Sequence, residues 1–276
     1  GPSGQGKSML ANKILSEELK RGTKSVILDL GNSFLKTTKF NKGTIFSQKI
    51  NPLQFKCPRF LKEFVLSVID EPLTKKETGR LYEEIRYILE SNKDIEFTPF
   101  LDELEKSFTG IKYYFSEIQE YFTDEYSTLK DLTYCDFTIF PESMKAPLII
   151  YLIEYFKQIE GRKILLFDEC WHLLNKNADY IAECFRTFRK HNASAIAISQ
   201  NLDDFYSTTL GKVIIQNTYW KVLFRQELGR SEFINQHTDS ITTAIFCQDY
   251  TKRNLLYRLE IDGFTHGIHY NMNNLW

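Results

Sequence analysis

Apolar residues recur at three- and four-residue intervals over residues 9–21, where Leu10, Ile14, Leu15 and Leu19 share one face and Gly22 supplies a stop. That spacing predicts a helix. Residues 25–31 (SVILDLG) form a continuous apolar run closed by glycine, the pattern of a buried strand. A helix followed by such a strand predicts the start of a parallel α/β sheet. Over residues 58–130 the pattern becomes helical throughout: RFLKEFVLSVI, ETGRLYEEIRYILE, FLDELEKSF and IKYYFSEIQEYF set apolar residues among charges, punctuated by Pro72 and Pro99. These residues predict a helical insertion between two parts of an α/β core, residues 1–57 and 131–276. The core pattern resumes with a predicted strand at 136–140 (DFTIF), a mostly buried helix at 146–159 and a strand at 163–169 (KILLFDE). A helix follows at 180–192, with Ile181, Cys184, Phe185 and Phe188 facing inward, and then strands at 194–200 and 219–226. Beyond Gly229 the texture is mixed: SITTAIFC and NLLYRLEID suggest further strands, and residues 271–276 a tail.

Composition narrows the class. The 276 residues suffice for one large α/β domain or two small ones, and 42% hydrophobic with 26% charged residues is ordinary for a globular chain. Net charge is −1, so no global basic field recruits nucleic acid. The 22 Phe and 15 Tyr read as core packing more than as ligand contacts. Five widely spaced cysteines form no C-x-x-C, which fits reduced thiols in the cytoplasm; the His266/His269 pair has no acidic or Cys companion, so no metal site is read there. The longest apolar run, residues 146–153, falls short of the roughly 20 residues of a membrane helix. The start at Gly1 rather than Met, with no strand before the first loop, reads as a boundary cut through a longer protein.

The chemistry gathers where strands end. Residues 1–8, GPSGQGKS, satisfy G-x-x-x-x-G-K-[ST], a loop whose glycines let main-chain N–H groups approach phosphate. Gly1, Ser3, Gly4, Gln5, Gly6, Lys7, Ser8 and Met9 are the nucleotide-binding candidates. Lys7 is placed against the β- and γ-phosphates of ATP, and the Ser8 hydroxyl on Mg²⁺. In ILLFDE (residues 164–169) four apolar residues precede two acids. Asp168 is the candidate for holding Mg²⁺, and Glu169 for polarising the attacking water. Gln200, ending a strand expected beside that acidic one, is the candidate sensor of the γ-phosphate. Arg189 is the candidate arginine finger for a neighbouring subunit, and Arg225 competes for that role. No L-S-G-G-Q-like signature lies ahead of the acidic motif, which argues against an ABC-type ATPase. The absence of G-x-G-x-x-G after a strand excludes a dehydrogenase.

Taken in order, GPSGQGKS, VILDLGNSF, INPLQF, KILLFDECWHLL, FRTFRKHNASAIAISQNLDDF and IIQNTYWKVLFRQ resemble the TraC-like conjugative ATPases of type IV secretion systems, within the FtsK/HerA group of RecA-like motors. The resemblance spans residues 1–226. Its most specific parts are D-E-x-W-x-L-L (residues 168–174) and R-K-x-x-A-S…Q-N-x-x-D (residues 189–204). It implies a RecA-like P-loop fold with an inserted all-α subdomain, and a homo-hexamer at the cytoplasmic face of the bacterial inner membrane. The implied activity is Mg²⁺-dependent ATP hydrolysis powering pilus assembly and transfer of DNA or protein. The implied partners are secretion-channel components and a coupling ATPase. Cys170 stands where family members usually have Ala, a small replacement beside the acids. Two other readings stay open: a HerA/FtsK-like motor tracking DNA, and a nucleotide-binding assembly protein with little turnover.

Overall fold

Parallel strands buried on both faces need near-continuous apolar runs, and three such runs meet here. The computed structural model describes residues 6–69, 71–169, 177–200, 205, 207–218, 221–224, 241–249, 254–261 and 264–271. The strands of the first sheet are β1 (Lys24–Asp29), β2 (Thr44–Ile45), β3 (Leu132–Asp136), β4 (Lys163–Asp168) and β5 (Ala193–Ile198), arranged β2-β3-β1-β4-β5. β1 lies parallel to β3 on one side and β4 on the other, with Ile27 opposite both Tyr134 and Leu166. All six residues of β4 are buried.

The described helices are α1 (Lys7–Lys20), α2 (Leu35–Phe40), α3 (Pro58–Val68), α4 (Lys75–Ser91), α5 (Phe97–Ser107), α6 (Ile111–Ser116), α7 (Glu142–Gln158), α8 (Ala178–Thr187) and α9 (Thr209–Asn217). Helix α7 buries residues around most of its circumference, from Met144 to Phe156, and packs on α3. Many of the aromatics pack on one another. Phe55 meets Tyr151 of α7 at 5.3 Å between centroids, and Phe64 meets Phe97 at 6.4 Å and Phe122 at 6.0 Å. The ladder of rings thus runs from the core helix into the helices of the insertion. Such pairs add about 0.5–1.5 kcal/mol each beyond area burial. Helix α4 starts on a capping box, with Thr74 Oγ1 accepting from Glu77 N and the Glu77 carboxylate accepting from Thr74 N.

Residues 136–140 differ from the predicted strand. The ladder runs earlier, over β3, and Phe137–Ile139 is a 3-10 turn. The Asp136 carboxylate accepts from Thr138 N at 2.9 Å and turns the chain out of the sheet, a local bond that outcompetes extension of the strand. The short α2 and β2 are additions to the sequence reading. Gly43 between them is required by close approach, since a Cβ there would stand 2.6 Å from Leu132 Cγ.

The chain divides into two compact units, Leu15–Ala197 and the pair Gly1–Ile14 with Ile198–Trp276. The second unit holds a separate four-stranded sheet of β6 (Lys221–Phe224), β7 (Ile241–Asp249), β8 (Asn254–Ile261) and β9 (Phe264–Asn271), in that order. β6 runs parallel to β7, and the other neighbours are antiparallel. The third member of that meander, β9, is absent from the sequence reading, although Asp262-Gly263 is a strong hairpin signal between its two strands. Among the described residues no helix is long and apolar enough to cross a membrane.

Candidate functional site

The described part of the phosphate-loop motif begins at Gly6, whose φ of 92° lies in the left-handed region where only glycine is unstrained. Helix α1 follows at once: Leu10 N donates to Gly6 O at 3.0 Å, closing the first turn. Lys7, Ser8 and Met9 are therefore first-turn residues, all half-buried, at the N-terminal end of a helix, where the dipole favours an anion. No acidic residue occupies that turn to compete. Gly1, Ser3, Gly4 and Gln5 lie outside the described residues.

In the larger unit, the carboxyl edge of the sheet carries three aspartates in register, Asp136 on β3, Asp29 on β1 and Asp168 on β4. Ligands of open α/β sheets bind beyond this edge. Asp168 is buried at 2% exposure, and Glu169 follows it half-buried with φ at 61°. A glutamate held in the left-handed region is strained, and such strain concentrates at functional sites. Strand β5 lies beside β4, as the sequence reading requires, and Gln200 stands exposed two residues past its end. Arg189 is exposed in a 3-10 turn, Phe188–His191, that continues α8. The predicted single helix over 180–192 thus changes period before Arg189, because buried Phe188 anchors the turn while Asn192 closes it at φ 51°. Arg225 lies outside the described residues.

Asp29 is the residue that sequence reasoning passed over. Its side chain is wholly buried, and it accepts from Gly31 N at 2.7 Å, Phe34 N at 3.1 Å and the Tyr134 hydroxyl at 3.2 Å. Burial pushes its carboxyl above the usual carboxylate range, and the three donors pull the other way. Tyr134 is in turn raised by burial and by the Asp29 charge beside it. Asp29 thereby fixes the loop leading to α2, including Asn32 at φ 56°, whose Oδ1 lies 3.1 Å from the Tyr134 hydroxyl. The signal in the sequence is an acid two residues ahead of Gly31, the spacing of a side chain that bonds its own turn.

Helix α8 is tied to the core through polar contacts. Tyr180 donates to Glu154 of α7 at 2.6 Å, Asn177 donates to Glu63 O at 2.9 Å, and Arg59 of α3 pairs with Glu183. These bonds set the position from which the turn bearing Arg189 departs.

The residue types are those a magnesium nucleotide requires. Mg²⁺ takes one or two protein oxygens and completes its shell with water and phosphate. A hydroxyl from Ser8 and a buried carboxylate from Asp168 are hard oxygen donors of that kind. Among the described residues no group of three or more His, Cys, Asp or Glu forms a dedicated metal cage.

Comparison with known proteins bears on the fold and the family. Solved structures of similar fold include VirB4 of Thermoanaerobacter pseudethanolicus, at 18% identity and a TM-score of 0.66 over 98% of this chain and 86% of that one. The bacterial conjugative coupling protein TrwB, lacking its first 70 residues and bound to sulphate, matches at 15% identity and a TM-score of 0.53, over 98% and 76%. TrwB in complex with the non-hydrolysable ATP analogue ADPNP matches at 15% identity and a TM-score of 0.52, over the same shares. At these identities the likeness is one of fold, RecA-like with a mostly parallel central sheet and helical insertions. No curated protein matches this sequence. The model of the TraG P-loop domain matches residues 1–81 and 144–257, well over half of the chain, and the protein therefore belongs to that family, among the P-loop ATPases of conjugative and type IV secretion systems.

Proposed function

We propose that this chain is the ATP-hydrolysing motor of a conjugative or type IV secretion apparatus. The observation that carries the reading is the pair at the end of β4, a buried Asp168 followed by Glu169 at φ 61°, in a chain of the TraG P-loop family. The loop of residues 1–8 and the first turn of α1 bind the phosphates, with Lys7 neutralising charge on the β and γ groups. Ser8 and Asp168 would hold Mg²⁺, which when bound would offset the charge that develops on the transferred phosphoryl. Glu169 accepts a proton from the attacking water and orients it toward phosphorus. Gln200 bonds the water or the γ-phosphate and so registers hydrolysis. Arg189, or Arg225, acts from a neighbouring copy in a homo-hexameric ring at the inner membrane, beside channel components and a coupling ATPase. The work done is pilus assembly and substrate transfer. Residues 58–130 form the inserted subdomain of this motor, between core segments 1–57 and 131–276.

The test is steady-state ATPase activity of the intact protein with and without Mg²⁺. Glu169→Gln should lower kcat by about 10²–10⁴-fold while nucleotide still binds, and Lys7→Ala should abolish nucleotide binding. Unchanged turnover in both variants would overturn the assignment. Stimulation by DNA with a steep salt dependence would move the reading to a DNA-tracking motor.

A further inference from the structure

Away from the sheet edge, helices α5 and α6 and the 3-10 turn at Gln119–Tyr121 enclose a cleft of about 520 Å³. Phe97, Leu101, Phe115 and Phe122 supply its apolar lining, beside polar Thr98, Ser116, Gln119 and Thr123. The Phe97 ring lies 4.6 Å from Phe122 and 5.8 Å from Phe115 between centroids. Phe97 N donates to the Asp124 carboxylate at 2.8 Å, which ties the wall to the start of α5. Tyr113 stands beside the cleft at 79% exposure, a large amphipathic side chain left in solvent.

Charge along the segment that forms the cleft is one-sided. Residues 94–125 contain nine Asp and Glu against Lys106 and Lys112, a net of −7 in a chain whose total is −1. Eight of the nine acids are exposed. Both lysines are already engaged, Lys106 with Glu103 and Lys112 with Asp102. Glu105 is held below the usual carboxylate range by the N–H groups of Gly110 and Lys112. Of the charged residues that line the cleft, Lys112 and Asp124 offset one another, while the exposed Glu117 and Glu120 follow the lining residues Ser116 and Gln119 in the chain.

A cleft with apolar side chains in its wall, on a segment of net negative charge, selects its occupant by exclusion. Polyphosphate backbones and anionic lipid are repelled, while an apolar stripe flanked by Lys and Arg gains on both counts. We infer that this cleft docks a cationic amphipathic helix of a partner protein, its Leu or Phe side chains on the Phe97–Phe122 floor and its Lys or Arg side chains toward Glu117 and Glu120. The cleft residues fall between the two stretches that the family model matches, so the surface is a feature of this chain beyond the family core. The inference is independent of the nucleotide chemistry.

Binding of a fluorescein-labelled 18-residue Leu/Lys amphipathic helix to the full chain, followed by anisotropy, tests it. A Leu/Glu helix and a Lys/Ser peptide of equal positive charge serve as controls. Only the Leu/Lys helix should bind, with affinity falling as salt rises. The double variant Glu117→Lys/Glu120→Lys and, separately, Tyr113→Ala should each weaken it about tenfold or more, as losses at a charged rim and an aromatic anchor do. These positions are exposed, and an unchanged thermal melt confirms that the variants fold. ATPase activity of these variants should equal wild type, so an inactive wild type would count against the motor reading and leave the peptide result standing. No binding, equal binding of the Lys/Ser peptide, or equal affinity in the variants would overturn the proposal. Competition by single-stranded DNA, or self-association abolished by the double variant, would overturn it in favour of those occupants.

Discussion

Glu169 shows most clearly how a single residue can combine a backbone cost with the role proposed for it. Left-handed backbone costs an L-residue on the order of 1–2 kcal/mol, and Glu169 sits there at φ 61° directly after the buried end of β4. Glycine relieves that strain and gives back about 0.5–1 kcal/mol through the entropy of the unfolded chain. Glu169→Gly should therefore raise stability by roughly 0.5–1 kcal/mol in chemical denaturation while removing hydrolysis. A loss of stability would show that the glutamate is held by contacts worth more than its strain. Asp168 and Glu169 are legible in the sequence because four apolar residues followed by two acids is itself the pattern of a buried strand reaching solvent. The strain is not legible, since it arises from the path the chain takes on leaving the sheet.

At the scale of elements, Asp29 links three of them. It ends β1, bonds the N–H groups that open the way to α2, and receives the hydroxyl of Tyr134 from β3. Its carboxyl is raised by burial, so the folded protein holds that proton to higher pH than the unfolded chain does. The sign follows: stability from this group is largest below the unfolded value and falls as pH rises through the folded one. Asp29→Asn, which cannot titrate, should be less stable than wild type because it offers one acceptor fewer, and the gap should narrow from pH 4 to pH 7. Urea melts across that range check it, and a gap that widens would mean the ionised carboxylate is the better bonded form. Periodicity in the sequence locates α1, β1, α3 to α5, α7 and β4, whose apolar faces repeat long enough to be counted. It misplaces β3 by about a turn, because the apolar string DFTIF hides the Asp136 bond to Thr138 that ends the strand. The brief α2 and β2 leave too few residues for any period to show.

Across the whole molecule, charge and assembly are the properties that local patterns leave open. A net of −1 conceals −7 over residues 94–125, and with it a surface of opposite character to the rest of the chain. Arg189 is exposed in the turn that continues α8, as the role proposed for it toward a neighbouring copy requires. Arg189→Ala should lower turnover by about 10³–10⁵-fold, and mixing it with Glu169→Gln protein should recover part of the activity, since each supplies what the other lacks. No recovery under conditions that exchange subunits would assign the trans role elsewhere, with Arg225 next in line. By itself the sequence determined the class of this protein, for phosphate-loop, acidic-strand and apolar-run patterns are local and depend on residue type and spacing. Only the tertiary structure decided that Asp29 lies in register with Asp168, that the aromatics of the insertion form one packed ladder, and that the last strands make a sheet of their own. Those outcomes depend on which distant segments bury one another, and burial against a distant partner leaves no period in the chain.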